Sequence, residues 1–181
     1  MTVKRKPSDA SFAVFPTAWG HAALAWTRAG VCGLWLPETR RERLLERVMA
    51  DLPRASELPP TKNVARAIDE VQRYFEGERV KFTATLDLSC ASPFARQVYA
   101  ALRKIPHGRT ATYKEIAEAV GSPRACRAVG GANAANRIPI IIPCHRVIAA
   151  GGKPGGFSGP GGIDTKLRLL DLERGRVECG C

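Results

Sequence analysis

The sequence lacks an apolar run long enough to cross a membrane. Its longest apolar stretch, residues 138–147, is interrupted by two prolines, a histidine and an arginine, and it is far shorter than the ~20 residues that a transmembrane helix needs. The basic residues that follow Met1 are not succeeded by the apolar stretch of a secretory signal. We therefore predict a cytoplasmic protein with no membrane partner.

The six cysteines lack the spacing typical of zinc sites and disulfide frameworks. No Cys-x-x-Cys pair is present, and neither His21 nor His107 has a cysteine two to five residues away. We therefore expect no metal site and no disulfide framework. Cys179 and Cys181 are interpreted as part of a frayed tail, although such a pair can also chelate a metal or oxidise.

Positive charge is unevenly distributed along the chain, whose formal net charge is +11. Residues 1–87 contain 14 basic and 11 acidic side chains, whereas residues 88–181 contain 14 basic and 6 acidic side chains. A basic excess concentrated in one half indicates a polyanionic partner, with nucleic acid the first candidate. Solubility is the other explanation, and charge alone does not decide between the two.

The first half is predicted to form a small α/β domain over residues 1–88. Residues 22–26 and 31–36 flank a short turn and predict a β-hairpin. Two later stretches have apolar residues at helical spacing, and a proline-rich loop over residues 52–61 lies between them. Asn63 is predicted to cap the second of these helices. A strictly alternating stretch then predicts a strand with one buried face. The apolar positions are Leu44, Leu45, Val48 and Leu52, then Val64, Ile68, Val71 and Phe75, then Val80, Phe82, Ala84, Leu86 and Leu88.

The second half is predicted to form a mostly α-helical domain over residues 89–175, followed by a tail at residues 176–181. Ser92 is expected to cap a first helix that begins with Pro93. A helix over residues 112–120, a glycine turn, and a helix over residues 124–135 capped by Ser122 and begun by Pro123 predict a winged-helix-like helix-turn-helix.

The last of these helices has the composition of a nucleic-acid-binding element. It carries Arg124 and Arg127, contains no acidic residue, and is otherwise built of small side chains. Small side chains and two glycines are poor helix stabilisers, but they permit close approach to a groove.

Cys144 is the candidate nucleophile. Three isoleucines between two prolines predict a short buried connection that ends at this residue. A buried cysteine is most often an inert packing residue, but His145 and Arg146 can each stabilise a thiolate. Because adjacent side chains diverge in regular structure, a tight turn or a bridging water must connect Cys144 to His145. A third group, usually a carboxylate, must orient the imidazole.

Residues 143–147, Pro-Cys-His-Arg-Val, preceded by Arg-Ala-Val-Gly-Gly-Ala-Asn at residues 127–133, resemble the O6-alkylguanine-DNA alkyltransferase (methylated-DNA–protein-cysteine methyltransferase) family. The resemblance extends from about Ser92 to Glu173 and includes the loop at residues 155–159. It implies a monomeric DNA repair protein that flips O6-alkylguanine, chiefly O6-methylguanine, out of double-stranded DNA. It also implies irreversible, stoichiometric transfer of the alkyl group to the protein's own cysteine, with no cofactor, no metal and no obligate protein partner.

The resemblance also implies a role for particular residues. Cys144 matches the alkyl acceptor, and His145 matches the base that acts on it through a water. Glu173, or alternatively Asp171, would orient the imidazole. Tyr113 would donate a proton toward the guanine, and Asn136 would hold the turn before the active-site segment. The implied DNA- and guanine-binding residues are Arg127, as the finger that enters the base stack, with Tyr113, Ala128, Gly130, Val147, Phe157 and Ser158.

Two residues depart from the pattern of this family. Arg137 stands where a proline is frequent, and Phe157 stands where some members have a tyrosine. Two other function classes are also considered: a non-catalytic module or helix-turn-helix regulator that binds alkylated DNA, and a cysteine hydrolase. The presence of Cys144, His145 and Glu173 together favours the transferase over the non-catalytic module, and a lone Cys-His neighbour pair gives little support to a hydrolase.

Overall fold

The computed structural model of the protein describes residues 9–175. The chain divides into two compact units, Met1–Ala91 and Ser92–Cys181. The basic residues after Met1, and Cys179 and Cys181 in the predicted tail, lie outside the described residues. No helix in the described part of the chain is both long enough and apolar enough to span a membrane.

The elements of the first unit are β1 (Ser11–Thr17), β2 (Gly20–Thr27), β3 (Gly30–Glu38), α1 (Arg41–Asp51), β4 (Ser56–Glu57) and α2 (Lys62–Phe75). The strands form a four-stranded sheet in the order β3-β2-β1-β4. The pairs β1–β2 and β2–β3 are antiparallel, whereas β4 runs parallel to β1. The predicted hairpin is confirmed as β2 and β3. Neither β1 nor the short β4, which lies inside the predicted loop, was expected.

Both predicted helices of this unit are present, and their apolar faces are buried. In α1, Leu44 and Val48 have no exposed surface, and they join a core cluster that includes Trp35 of β3. The predicted cap of α2 is wrong, because Thr61 occupies the N-cap position and no side chain caps the helix. Asn63 already lies inside the first turn, where its side chain cannot act as the N-cap.

The strand predicted over residues 80–88 is largely wrong. Its apolar side chains do alternate in burial, but the segment makes only one β-bridge, between Leu86 and Val31. Two backbone hydrogen bonds flank this bridge, at 2.9 and 2.8 Å. Farther back, the backbone N–H of Thr83 donates to the Glu70 carboxylate at 3.1 Å instead of to a neighbouring strand. The Glu70 carboxylate therefore accepts a hydrogen bond that the backbone of a neighbouring strand would accept in a sheet.

The second unit is mainly helical, as predicted. Ser92 caps its first helix by accepting a hydrogen bond from the N–H of Ala95, with Pro93 at the first position. Thr112 caps the next helix in a capping box with Glu115. The elements are α3 (Pro93–Leu102), β5 (Ala111–Thr112), α4 (Tyr113–Ala119), α5 (Cys126–Ala134), a 3₁₀ turn (Cys144–Arg146), β6 (Val147–Ile148), a second 3₁₀ turn (Ala150–Gly152) and α6 (Gly162–Glu173).

The start of α5 differs from the prediction. The helix begins at Cys126, with Ala125 at the N-cap position and no side-chain cap. The carbonyl of Ser122 accepts the N–H of Ala125 at 2.8 Å and closes a separate turn. Ser122 and Pro123 therefore belong to this turn, and Arg124 precedes the helix.

A short parallel pair, β5 and β6, brings together two distant parts of the second unit. Thr112 pairs with Ile148, so the start of α4 lies beside the strand that follows the 3₁₀ turn. Tyr113, the first residue of α4, is thereby held next to the segment that carries Cys144.

Candidate active site

The segment that leads to Cys144 is buried and tightly turned. Its isoleucines at positions 138 and 140–142 are at most 2% exposed, which confirms the predicted buried connection. Asn136 spans the segment, because its Nδ2 donates to the carbonyl of Ile142 at 2.9 Å and its Oδ1 accepts the N–H of Ile138 at 3.0 Å. Ile140 has a φ of 69°, a strained conformation for a β-branched residue. The Asn136 bonds help to hold this strained loop.

Cys144 and His145 lie in the 3₁₀ turn, which is closed by a 3.0 Å hydrogen bond from the N–H of Arg146 to the carbonyl of Pro143. The Cys144 side chain is buried, and His145 has no exposed surface. The sequence analysis expected either a tight turn or a bridging water between these neighbours, and the structure has the tight turn.

The carboxylate of Glu173, the last residue of α6, contacts the imidazole of His145. Nε2 of His145 lies 2.6 Å from Oε1 of Glu173, and both side chains are fully buried. Arg146 donates to the same carboxylate from Nε at 2.9 and 3.1 Å and from Nη2 at 2.9 Å. Asp171, the alternative, is 47% exposed and lies 3.9 Å from Arg174. The contact to His145 is therefore made by Glu173.

A glycine completes the set of donors around this carboxylate. The N–H of Gly108 donates to Oε2 of Glu173 at 3.0 Å. Gly108 has a φ of +72°, and a Cβ atom there would stand 3.1 Å from the backbone oxygen of Glu173. Glycine therefore suits both the backbone conformation and the close approach at this position.

These contacts settle the charge state of the pair. Burial favours the neutral acid, but the hydrogen bonds from His145 and Arg146 and the positive charge of Arg146 outweigh burial and hold the pKa of Glu173 well below its usual range. An ionised carboxylate only accepts hydrogen bonds, so Nε2 of His145 is its donor. Burial lowers the pKa of His145 despite the favourable charge of Glu173. The imidazole is therefore neutral, with its lone pair on Nδ1.

Cys144 is a protonated thiol in this resting state. Burial raises the pKa of Cys144, while a hydrogen bond from Asn136 and the charge of Lys166 act in the opposite direction. Because the thiol of Cys144 and the imidazole of His145 are both neutral, the thiol proton stays on the sulfur until a substrate arrives. Such a pair supports a nucleophile that is activated on demand.

Tyr113 is half-buried and packs against two glycines. A Cβ atom at Gly155 would stand 3.3 Å from the Tyr113 hydroxyl, and one at Gly130 would stand 3.9 Å from the ring. Burial, followed by the negative charge of a Cys144 thiolate, raises the pKa of Tyr113. The phenol therefore keeps its proton at neutral pH and can act as a donor.

The expected DNA-binding residues differ in exposure. Val147 is fully buried, and its carbonyl accepts a hydrogen bond from Lys166. Gly130 and Phe157 are half-buried. The exposed ones are Arg127 and Ala128, in the first turn of α5, and Ser158 in the loop before α6.

The structure gives four residues a role that the sequence analysis did not predict. Three of them had been given no role in the site, and Arg146 had been given a different one. Arg146 was expected to stabilise the thiolate, but it binds Glu173 and the carbonyl of Ile105, the latter at 2.8 Å. Nothing in the sequence indicated Gly108 or Lys166. Tyr99 was also missed, because it lies in α3 among ordinary apolar positions. Its hydroxyl donates to the carbonyl of Ala132 at 3.0 Å. Burial, followed by the negative charge of a Cys144 thiolate, raises the pKa of Tyr99 to about 12.

Comparison with known proteins identifies the family. Residues 93–175 match the family model described as "6-O-methylguanine DNA methyltransferase, DNA binding domain". The methylated-DNA–protein-cysteine methyltransferase of Mycobacterium leprae is 48% identical over 120 residues, which cover 66% of this chain and 71% of that protein. The constitutive enzyme of the same name from Bacillus subtilis is 46% identical over 116 residues, which cover 63% and 68% of the two chains.

Solved structures extend the likeness to nearly the whole chain. The Mycobacterium tuberculosis OGT protein, in complex with DNA, superposes with a TM-score of 0.75 at 37% identity, covering 93% of this chain and 96% of that one. The O6-methylguanine-DNA methyltransferase of Pyrococcus kodakaraensis gives a TM-score of 0.66 at 25% identity, covering 91% and 98%. The chain therefore belongs to the methylated-DNA–protein-cysteine methyltransferase family.

Proposed function

We propose that the protein repairs DNA by moving an alkyl group, chiefly methyl, from O6 of guanine to Sγ of its own Cys144. The observation that carries the proposal is the buried contact of His145 with ionised Glu173, directly beside the cysteine, in a chain of this family. A module that only bound alkylated DNA would have no use for such an array.

The resting charges suggest an order for the proton transfers. Neutral His145 takes the thiol proton of Cys144 through a water molecule, and ionised Glu173 stabilises the imidazolium that results. The sulfur attacks the alkyl carbon, a carbon–sulfur bond forms, and the bond from that carbon to O6 breaks. Tyr113 gives its proton to the guanine ring as negative charge develops there. Solvent then returns the proton on His145 to Tyr113, so the hydrogen of the thiol replaces the alkyl group on guanine.

The product makes the protein a single-use reagent. Cys144 becomes a thioether, which is uncharged and a poor leaving group. Each molecule therefore repairs one base, without a metal or a diffusible cofactor.

Delivery of the base is assigned to the domain at residues 89–175. We propose that α4 and α5 act as a helix-turn-helix, with the small residues Ala128 and Gly130 in the minor groove and Arg127 in the gap left by the flipped nucleotide. The backbone around Val147, together with Phe157 and Ser158, would contact the guanine. Phosphate contacts would supply most of the affinity, which would make DNA binding salt-dependent.

Intact-mass measurement tests the proposal. The reduced protein is mixed with duplex DNA that contains O6-methylguanine, alongside the Cys144→Ala and Cys126→Ser variants. Cys126 is a matched control, because it is a free and more exposed cysteine of the same unit. We expect one added methyl in wild type and in Cys126→Ser, and none in Cys144→Ala. An unchanged mass of the folded wild-type protein would reject the proposed function.

A further inference from the structure

Asn133, near the end of α5, has a side-chain amide that no neighbouring residue satisfies. Both Nδ2 and Oδ1 are buried, and neither has a hydrogen-bond partner within residues 9–175. Buried polar side-chain atoms are paired in the large majority of cases, because an unpaired atom gives up its bonds to water without replacement. An amide is both a donor and an acceptor. Asn133 therefore has an unused capacity for one hydrogen bond of each kind.

Asn133 lies between Tyr113 and the segment that carries the nucleophile. It follows Gly130 by three residues, so the two are neighbours on one side of α5, and a Cβ atom at Gly130 would stand 3.9 Å from the Tyr113 ring. The backbone carbonyl of Asn133 accepts the N–H of Asn136 at 3.1 Å, and the Asn136 side chain holds the loop that leads to Cys144. The amide is thus close to the path of a base that is flipped out beside α5 and reaches the sulfur.

The Asn133 side chain can turn toward an entering base. The amide of Asn136 is fixed by two hydrogen bonds, at 2.9 and 3.0 Å, whereas turning the amide of Asn133 breaks no hydrogen bond to the described residues. Although its amide atoms are buried, Asn133 as a whole is partly exposed. The side chain therefore lies at the border between protein and solvent, where a base can meet it.

One edge of O6-alkylguanine can satisfy both atoms of an amide. The phosphate and sugar oxygens of an internal nucleotide only accept hydrogen bonds, as do N7 and the alkylated O6, and alkylation also removes the proton from N1. The 2-amino group is then the donor of the base, and it lies between two acceptors, N1 and N3. Oδ1 of Asn133 can accept from the 2-amino group while Nδ2 donates to one of these nitrogens. The other nitrogen stays available to Tyr113.

We propose that Asn133 is a specificity-determining residue for the transfer reaction: its amide hydrogen-bonds the 2-amino group of the flipped base and the ring nitrogen beside it. This inference rests on the proposed function, since it concerns the base that the protein repairs. A base without the 2-amino group leaves Oδ1 unpaired, and such a loss is costly in a site that makes the bond.

The test compares two substrates that differ in the 2-amino group, which O6-methylguanine has and O6-methylhypoxanthine lacks. Single-turnover transfer from duplex DNA is measured with wild type, Asn133→Leu and Cys126→Ser. Leucine has nearly the shape of asparagine but forms no side-chain hydrogen bond. Cys126 is the matched control, because it lies seven residues earlier on the same side of α5. The two duplexes also differ in base pairing, but this difference is common to all three proteins and cancels when their substrate preferences are compared.

We expect wild type and Cys126→Ser to prefer O6-methylguanine about tenfold more strongly than Asn133→Leu does. Replacing a residue that only supported the fold of α5 would slow transfer from both substrates by the same factor. An equal preference in wild type and in folded Asn133→Leu, as judged by thermal unfolding, would therefore overturn the inference. If Asn133→Leu does not fold, Asn133→Ala is measured in its place with the same criterion.

The same assay separates this inference from the function on which it rests. Failure of wild type to methylate Cys144 with O6-methylguanine DNA would reject the proposed function, and the inference with it. Normal wild-type transfer together with an equal preference in the variant would reject the role of Asn133 alone.

Discussion

The second unit holds two groups of site residues that differ in their exposure to solvent. The buried cluster consists of Cys144, His145, Arg146, Lys166 and Glu173, each less than a tenth exposed. The exposed face consists of Arg127, Ala128 and Ser158. In the buried cluster a hydrogen-bond network around Glu173 and Lys166 is formed before substrate arrives, whereas the exposed face has no comparable network within the described residues. The comparison suggests that chemistry is preorganised and that recognition is completed by DNA.

The largest effect is expected from Glu173→Gln, which keeps the shape of the side chain but removes its charge. Without the carboxylate, His145 loses the partner that orients it and stabilises its protonated form, so transfer should slow by about 1000-fold. Single-turnover kinetics with O6-methylguanine duplex measure the rate, and a mobility-shift assay should show unchanged DNA binding. Asp171→Asn is the matched control, and a larger loss in that variant would contradict the assignment of Glu173.

Tyr113→Phe should slow transfer by about 100-fold, because the ring can still pack beside Gly155 while the proton donor is lost. The same single-turnover assay measures this effect. Tyr99→Phe removes a second buried hydroxyl and should cost much less, because that hydroxyl already donates to the carbonyl of Ala132. Equal losses in the two variants would mean that Tyr113 is not the specific donor.

Arg127→Ala tests the exposed face and should slow transfer from duplex DNA by about tenfold, since flipping a base costs a few kcal/mol that an inserted side chain offsets. Transfer from single-stranded DNA should change less than about twofold, because no stack has to be opened. Arg124→Ala, in the turn before α5, is the control. A slowing that is the same on both substrates would assign Arg127 to general phosphate binding.

The smallest effect concerns stability against pH. The pKa values of both His145 and Glu173 are lowered in the folded protein. The unfolded chain therefore binds protons that the folded chain does not, first below about pH 6.5 and then below about pH 4.3. Urea unfolding should show stability falling through both ranges in wild type. Glu173→Gln should show a smaller fall below about pH 4.3, and an unchanged acid profile would contradict the ionised state of this carboxylate.

Features that depend on neighbours in sequence were the most predictable. The Ser92 cap with Pro93, the β2–β3 hairpin and the buried isoleucines all follow from local patterns, and the structure confirms them. The cap predicted at Ser122 failed although its local pattern was similar, because its carbonyl closes a separate turn.

The site itself was only partly predictable, because much of it is made by contacts between distant residues. Cys144 and His145 are neighbours and share a recognisable motif. Glu173 is 28 residues beyond His145, and only the fold distinguishes it from Asp171. Gly108 contributes a backbone N–H and Lys166 contributes a buried ammonium. Neither contribution can be recognised from the pattern of residues in the sequence.

The most direct test of the central claim is stoichiometry. The protein is incubated with excess duplex DNA carrying O6-trideuteromethylguanine, and peptide mass spectrometry follows the label over time. We predict one trideuteromethyl group per protein molecule, located on Cys144, with a matching amount of guanine restored and no further turnover. Label on another residue, or repair of more than one base per protein molecule, would contradict the account.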